Sequence, residues 1–275
     1  MSGPSSPPEL DSTEAAPAIA GTAGGLTRRT VAKGVFWSIP VIAAATAAPS
    51  AIASPTCTAT LSTTTASYTR VSATSAVFTW TDPFGSGVNL TLSLSAVPNG
   101  AANMAINTAN NLLLDSSTQG GEAVPSVRLS LDTLNLNNAG GGERVTFSFA
   151  LGGAPLVVDD LAYKIKDLDG FQADDGAGGA ERVYLLPAGT GTYNSTWVTG
   201  QGTSTNPWRP AVGSPNTEVI PTSGAGNVAV TSPSLSSFSL TFVANNSGRE
   251  GTDRPNQNIW VGPFTFTAQN PDCVP

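Results

Sequence analysis

The sequence predicts an all-β fold, a single antiparallel β-sandwich of jelly-roll-like build, from three observations: abundant turn formers, scarce charge, and short runs in which apolar and polar residues alternate. The 275 residues include 29 glycines and 21 prolines, and only 11 % are charged, against roughly 25 % in an average chain. Helical bundles with charged outer faces are therefore disfavoured. A hydrophobic share of 40 % is too high for a wholly disordered chain, which leaves a globular all-β protein.

The Thr/Ser-rich stretch from Thr58 to Ser75 comes first in the chain. Its composition would suit a mucin-like stalk, but Leu61, Tyr68 and Val71 supply enough apolar surface for an edge strand. From Ala76 onward the period is two. Leu90, Leu92 and Leu94 alternate with Thr91, Ser93 and Ser95, and Val127, Leu129 and Leu131 with Arg128, Ser130 and Asp132. Such a pattern puts one face on a core and the other in water. The same holds for Val145, Phe147, Phe149 and Leu151, for Leu161, Tyr163 and Ile165, and for Phe238, Leu240 and Phe242. Val261, Phe264 and Phe266 form the last run, interrupted at Gly262-Pro263. Trp80 and Trp260 lie within strand patterns and read as core. About a dozen strands at this spacing make a sandwich. One domain is favoured over two immunoglobulin-like ones because no linker divides the chain by composition.

A segment of different character precedes the strands. Arg28-Arg29, with Lys33 four positions on, stands ahead of the apolar run Gly34 to Ala48, and Ala51 and Ala53 form a small-residue cleavage site. Fifteen helical residues reach about 22 Å, short of a ~30 Å hydrocarbon core. Residues 1–53 thus read as a twin-arginine-type signal segment and residues 54–275 as the sandwich domain. Residues 27–53 resemble the leaders of Tat-exported surface proteins of actinobacteria, whose β-sandwich domains are uncharacterised. The resemblance implies an extracellular or cell-wall-associated location and no particular reaction.

Removal of that segment takes away three acids and three bases, so the mature chain keeps the net charge of −7. Nine bases over the mature chain give no footprint for nucleic acid or anionic lipid, so neither nucleic acid nor, after cleavage, membrane is an expected partner. Two cysteines, Cys57 and Cys273, stand near the two ends of the mature chain, and an even count in an oxidising compartment predicts one bridge between them. The ends of the sandwich should therefore meet.

Two loops carry candidate binding residues. Asp167, Asp169, Asp174, Asp175 and Glu181 place five carboxylates within fifteen residues of a glycine-rich stretch. Ca²⁺ takes six to eight oxygens, and glycines let them converge, although glycine at the fourth place rules out an EF-hand. Asp167-x-Asp169, with Arg182-Val183-Tyr184-Leu185 returning as the next strand, resembles the D-x-D hairpin of secreted bacterial β-sandwich domains. The alternative is a solvated acidic loop. In the second loop, Tyr193, Trp197, Trp208 and Arg209 sit among small polar residues, and flat rings beside amides suit saccharide recognition. The competing reading is that these rings fold back to cap the sandwich.

Absence of histidine removes His-dependent nucleophilic catalysis. A hydrolase would have to use two carboxylates of the glycosidase type, drawn from Glu122, Glu143, Glu181, Glu218 and Glu250 with neighbouring aspartates. The mature lysines, Lys164 and Lys166, share strand parity with Ala162 and read as polar-face residues, which disfavours a Ser-Lys dyad or a buried lysine crosslink. The sequence thus points to a non-enzymatic secreted adhesion or glycan-binding module, with Ca²⁺ a candidate stabiliser of its acidic loop and a polysaccharide or surface protein as partner. A secreted hydrolase is the alternative.

Overall fold

The protein is described by a computed structural model over residues 56–100, 104–133, 141–169, 181–211, 219–244 and 256–273. The signal segment 1–53, with Arg28, Arg29, Lys33, Ala51 and Ala53, lies outside the described residues, as do Asp174 and Asp175. All described residues belong to one compact unit, Ile52–Pro275.

The period-two segments form strands throughout. The chain opens with β1 (Thr58–Ser62), β2 (Ser67–Ser72), β3 (Ser75–Trp80) and β4 (Leu90–Asn99), followed by the short β5 (Met104–Ile106) and β6 (Leu113–Asp115). Its middle holds β7 (Ser126–Thr133), β8 (Gly141–Leu151), β9 (Ala154–Pro155), β10 (Val158–Lys166) and β11 (Glu181–Leu186). The small strands β12 (Thr190–Tyr193), β13 (Val198–Thr199) and β14 (Arg209–Pro210) lead to β15 (Val228–Ser232), β16 (Ser237–Ala244), β17 (Asn256–Val261) and β18 (Thr265–Gln269). One sheet runs β1-β18-β10-β17-β7-β5, with β6 on β7, β15 on β10 and β12 on β15. The other runs β11-β16-β8-β4-β3-β2, with β9 on β8, while β13 and β14 make a separate two-stranded ribbon. The ladders are antiparallel and the two sheets pack face to face, so the predicted all-β sandwich is the observed fold.

Aromatic rings join the sheets. Phe147 and Phe238 stack at 4.6 Å on the inner face of one sheet, and Tyr163 and Phe264 reach them from the other, Tyr163 at 5.4 Å from Phe238 and Phe264 at 5.3 Å from Phe147. Phe266 makes edge contacts with Trp80 at 5.2 Å and Phe149 at 4.9 Å. Each such pair contributes roughly 0.5–1.5 kcal/mol beyond its burial.

Twice the inward residues are three apart instead of two. Val158 and Leu161 are both buried, and the register with β18 shifts between Asp159 and Ala162, where Asp160 has φ +52°. This bulge absorbs one residue and restores the parity of β10. Val261 and Phe264 likewise both face inward, across Gly262 at φ +116°, where the chain leaves the β7 ladder and joins that of β1.

The Thr/Ser-rich opening forms two edge strands, one on each sheet, since β1 pairs β18 and β2 pairs β3. Trp80 is buried as expected and donates Nε1–H to the Ser62 carbonyl at 2.9 Å. Trp260 is buried, but on the outer face. Its neighbours Ile259 and Val261 point inward, so its indole turns outward, where Arg128 covers it at 5.5 Å and Asp115 accepts its N–H at 3.0 Å.

Cys57 and Cys273 are bonded, with Cα atoms 5.5 Å apart. The β1–β18 ladder, from Thr58↔Gln269 to Ser62↔Thr265, continues directly from the bridge, and the Asn270 N–H donates to the Cys57 carbonyl at 2.8 Å. A crosslink closing so long a loop removes unfolded-chain entropy worth about 5 kcal/mol in the chain-entropy picture. The Cys57→Ala/Cys273→Ala double variant is expected to lose about 2–5 kcal/mol, measured by denaturant unfolding, and to resemble reduced wild type.

Candidate functional site

The most developed site lies on the outer face of β10. Because Leu161, Tyr163 and Ile165 fill the core, Lys164 and Lys166 must leave on the opposite side. Residues 119–122 fold over them as a tight turn closed by two backbone bonds, Gln119 N–H to Glu122 O at 3.0 Å and Glu122 N–H to Gln119 O at 3.2 Å. Gly120 and Gly121 occupy its centre at φ +59° and +76°, the pair of left-handed values that a two-residue turn of this hand requires. A Cβ on Gly120 would lie 2.4 Å from Asn227 Oδ1 and 2.9 Å from Lys166 Cβ. Only glycine lets the turn press onto β10 here. The Asn227 amide locks it by donating to the Gly120 carbonyl at 2.8 Å.

This turn delivers Glu122 between the two lysines. Lys164 Nζ donates to Glu122 Oε1, and Lys166 Nζ lies 3.2 Å from Oε2 and 3.2 Å from the Ser126 hydroxyl. The polar-face reading of Lys166 is thereby corrected. Its side chain is 0 % exposed, because the turn covers the outer face of β10 and Glu122 and Ser126 supply the partners a buried ammonium needs. Burial lowers the Lys166 pKa, opposed by Glu122. Partial burial pushes the Glu122 carboxyl up, but hydrogen bonds and charge from both lysines hold it below its ordinary value. Glu122 is an ionised counter-ion with both oxygens engaged.

Two grooves meet at this ion pair. The first, of about 510 Å³, is lined by Thr192, Asn194, Thr222 and Asn227 beside Tyr193. The second, of about 360 Å³, is floored by Ala162, Thr231 and Thr265 and walled by Val124 and Pro263. Both include Glu122, Lys164 and Ala229. The surface therefore has a polar half and a mostly apolar half, with Lys164 at the seam.

Of the residues expected to bind saccharide, Tyr193 lines the first of these two grooves, and its hydroxyl donates to the Gly200 carbonyl at 2.6 Å. Trp197 is half-buried against the core. Trp208 is 1 % exposed, which removes it from any binding surface. Its backbone exchanges two 2.9 Å bonds with Val183 of β11, and a Cβ on Gly191 of β12 would lie 2.3 Å from its ring, so Trp208 is packed between edge strands of the two sheets. Arg209 is exposed on β14, outside both groove linings. Glu122, a candidate acid in the sequence, is instead the counter-ion of two lysines, and this role and the part of Asn227 escaped prediction because the turn and the segment before β15 meet β10 only in three dimensions. Two lysines at i and i+2 on one strand were the legible trace of the site.

The acidic loop is partly assembled. Glu181 is buried at the start of β11, and its Oε2 accepts from the Asp169 N–H at 3.1 Å. Asp169 Oδ2 accepts from the Val219 N–H at 3.2 Å. Burial, then the charges of Asp169 and Asp167, raise the Glu181 carboxyl well above its ordinary value. Among the described residues no group of three such side chains has metal-ligand geometry. The D-x-D hairpin is not what forms: β10 belongs to one sheet, whereas β11 pairs with β16 in the other, so the loop crosses between sheets.

Glu143, another candidate acid, is enclosed at the end of the core. Asn111 Nδ2 donates to its Oε2 at 2.8 Å, while Asn111 Oδ1 accepts from the Ser130 N–H at 2.8 Å. Burial pushes its pKa up to about 8, with the Asn111 amide and the Ser130 backbone opposing. Neither Glu143 nor Glu181 lines either of these two grooves, and residues 218 and 250 lie outside the described residues.

No protein-family model matches the chain, and no curated protein does. Among solved structures, the adhesin domain of PrgB from Enterococcus faecalis bound to DNA is similar at a TM-score of 0.34 and 14 % identity, over 70 % of this chain and 67 % of that one. At that TM-score the likeness supports no conclusion about fold or partner. No helix among the described residues is long and apolar enough to cross a membrane.

The buried acids fix the sign of the pH dependence. Between the ordinary value of 4.5 and about 8, native Glu143 holds a proton that the unfolded chain has released, so stability falls as pH rises, by about 1.4 kcal/mol per unit for such a group. Glu181 acts in the same direction. Melting temperature is expected to fall from pH 5 to pH 9, and Glu143→Gln to flatten the profile, Glu181→Gln removing part of the rest.

Proposed function

We propose that this chain is an exported, non-enzymatic β-sandwich module that binds polysaccharide at the cell surface, in the paired grooves beside Lys164. The observation that carries the reading is the contiguity of the two grooves. A pyranose presents an apolar C–H face and a rim of hydroxyls, and a surface with Ala162, Val124 and Pro263 on one side and Thr192, Asn194 and Asn227 on the other matches both. Glycosidase chemistry needs two carboxylates about 5–10 Å apart across the scissile bond. Among the described residues Glu122 is the sole carboxylate lining either groove, and both of its oxygens face lysines, which favours binding over hydrolysis.

Export belongs to the same proposal. Arg28-Arg29 and Lys33 would direct the Tat route, with cleavage after Ala53, and Arg28→Lys/Arg29→Lys is expected to abolish secretion. Calcium is its remaining part. The mutual repulsion of Asp167, Asp169 and Glu181 is what a cation at that loop would relieve, in competition with the Glu181 proton. A calcium titration is expected to raise the melting temperature more at pH 8 than at pH 5. An unchanged melting temperature at both removes calcium from the proposal.

Groove occupancy is tested at Ala229, which is exposed on β15 and lines both halves. Ala229→Trp is expected to leave the melting temperature within a few degrees of wild type while reducing retention on cell-wall polysaccharide at least tenfold. Undiminished retention by the folded variant would place the binding surface elsewhere.

A further inference from the structure

Building on the saccharide-binding reading, we propose that the ligand is an anionic saccharide, one charge of which is received by Lys164 at the seam between the grooves. Charge balance supplies the first argument. Among the described residues two lysines share one carboxylate, so this ion-pair group carries one positive charge more than negative in a chain whose net charge is −7. Buried charges are normally paired, and Glu122 meets that need for the enclosed Lys166. Here the surplus borders an open groove.

Accessibility decides which lysine serves. Lys166 is enclosed, and Glu122 and Ser126 take up two of its donors. The Lys164 side chain is 40 % exposed, and an ammonium has three donors, one of which goes to Glu122. Because Lys166 also draws on the Glu122 charge, that carboxylate does not fully cancel Lys164. Position supplies the third argument. Lys164 and Glu122 line both grooves, so an anion on Lys164 would leave the apolar face of the sugar over Ala162 and its hydroxyls toward Thr192 and Asn194. Glu122 disfavours that anion by like charge while holding Lys164 in place, which makes the two residues opposite in their expected effects.

The negative charge could be a uronate carboxylate or a backbone phosphodiester, and separate titrations distinguish them. Calorimetric titration of the protein with oligogalacturonate, with a neutral galactose oligomer of equal length and with a glycerol-phosphate oligomer is expected to show at least one anionic probe bound about tenfold more tightly than the neutral one. The difference should shrink severalfold between 50 mM and 500 mM salt as screening shortens the reach of the charge. Lys164→Gln should abolish the preference, and Glu122→Gln should enlarge it. Ala229→Glu leaves the ion pair intact and adds a carboxylate to the groove wall, so it should weaken anionic binding severalfold more than binding of the neutral oligomer, even if the Lys164 variant folds poorly. Equal affinity for neutral and anionic probes would overturn the charge assignment and leave polysaccharide binding standing. Failure of all three probes, together with failure on cell-wall polysaccharide, would overturn both.

Discussion

The parity of β10 is the constraint on which the rest depends. Tyr163 must enter the aromatic layer with Phe147, Phe238 and Phe264, and in a strand that leaves Lys164 no choice but the opposite face. A slip of one residue would bury two ammonium groups in an apolar core and expose the ring. The bulge at Asp160 shows the strength of this requirement, because the backbone adopts a left-handed residue to keep Val158 and Leu161 on the same side. Core packing and site placement are thus one decision, taken on opposite faces of one strand.

Given that parity, the site is made by what covers it. The glycine turn at 119–122 brings a carboxylate over β10, and the Asn227 side chain ties the turn to the segment before β15. Lys166 becomes a buried cation and Lys164 a half-exposed one, although the two are chemically identical neighbours on one face. Their difference comes from the reach of the turn, which covers one and stops at the other. The grooves lie along that boundary, where cover ends and the small residues Ala162, Ala229 and Thr231 leave room.

At the other end of the same sheet the chain closes on itself. β18 receives β1 on one side and β10 on the other, so the bridge between Cys57 and Cys273 sits one strand from β10. The buried carboxyls Glu143 and Glu181 add a second constraint of opposite kind, since each is most stable with its proton on and loses stability as it ionises. Alkaline solution therefore loosens the sandwich from within, while the crosslink limits how far the unfolded chain can spread.

Local alternation determined a great deal. Leu90 to Leu94, Val127 to Leu131 and Phe238 to Phe242 announce their strands and inner faces because a period of two is a property of the strand itself. The cysteine pairing was legible because two cysteines admit one intramolecular bridge. Tertiary structure alone decided the rest, wherever a residue's environment comes from a distant segment. Trp208 looks like an exposed loop aromatic in the sequence and is buried, since Val183 and Gly191 reach it from other strands. Lys166 looks solvated and is enclosed, since the covering turn lies more than forty residues earlier in the chain. Alternation tells which face of a strand a residue occupies, but whether that face meets water depends on chain that contacts it only after folding.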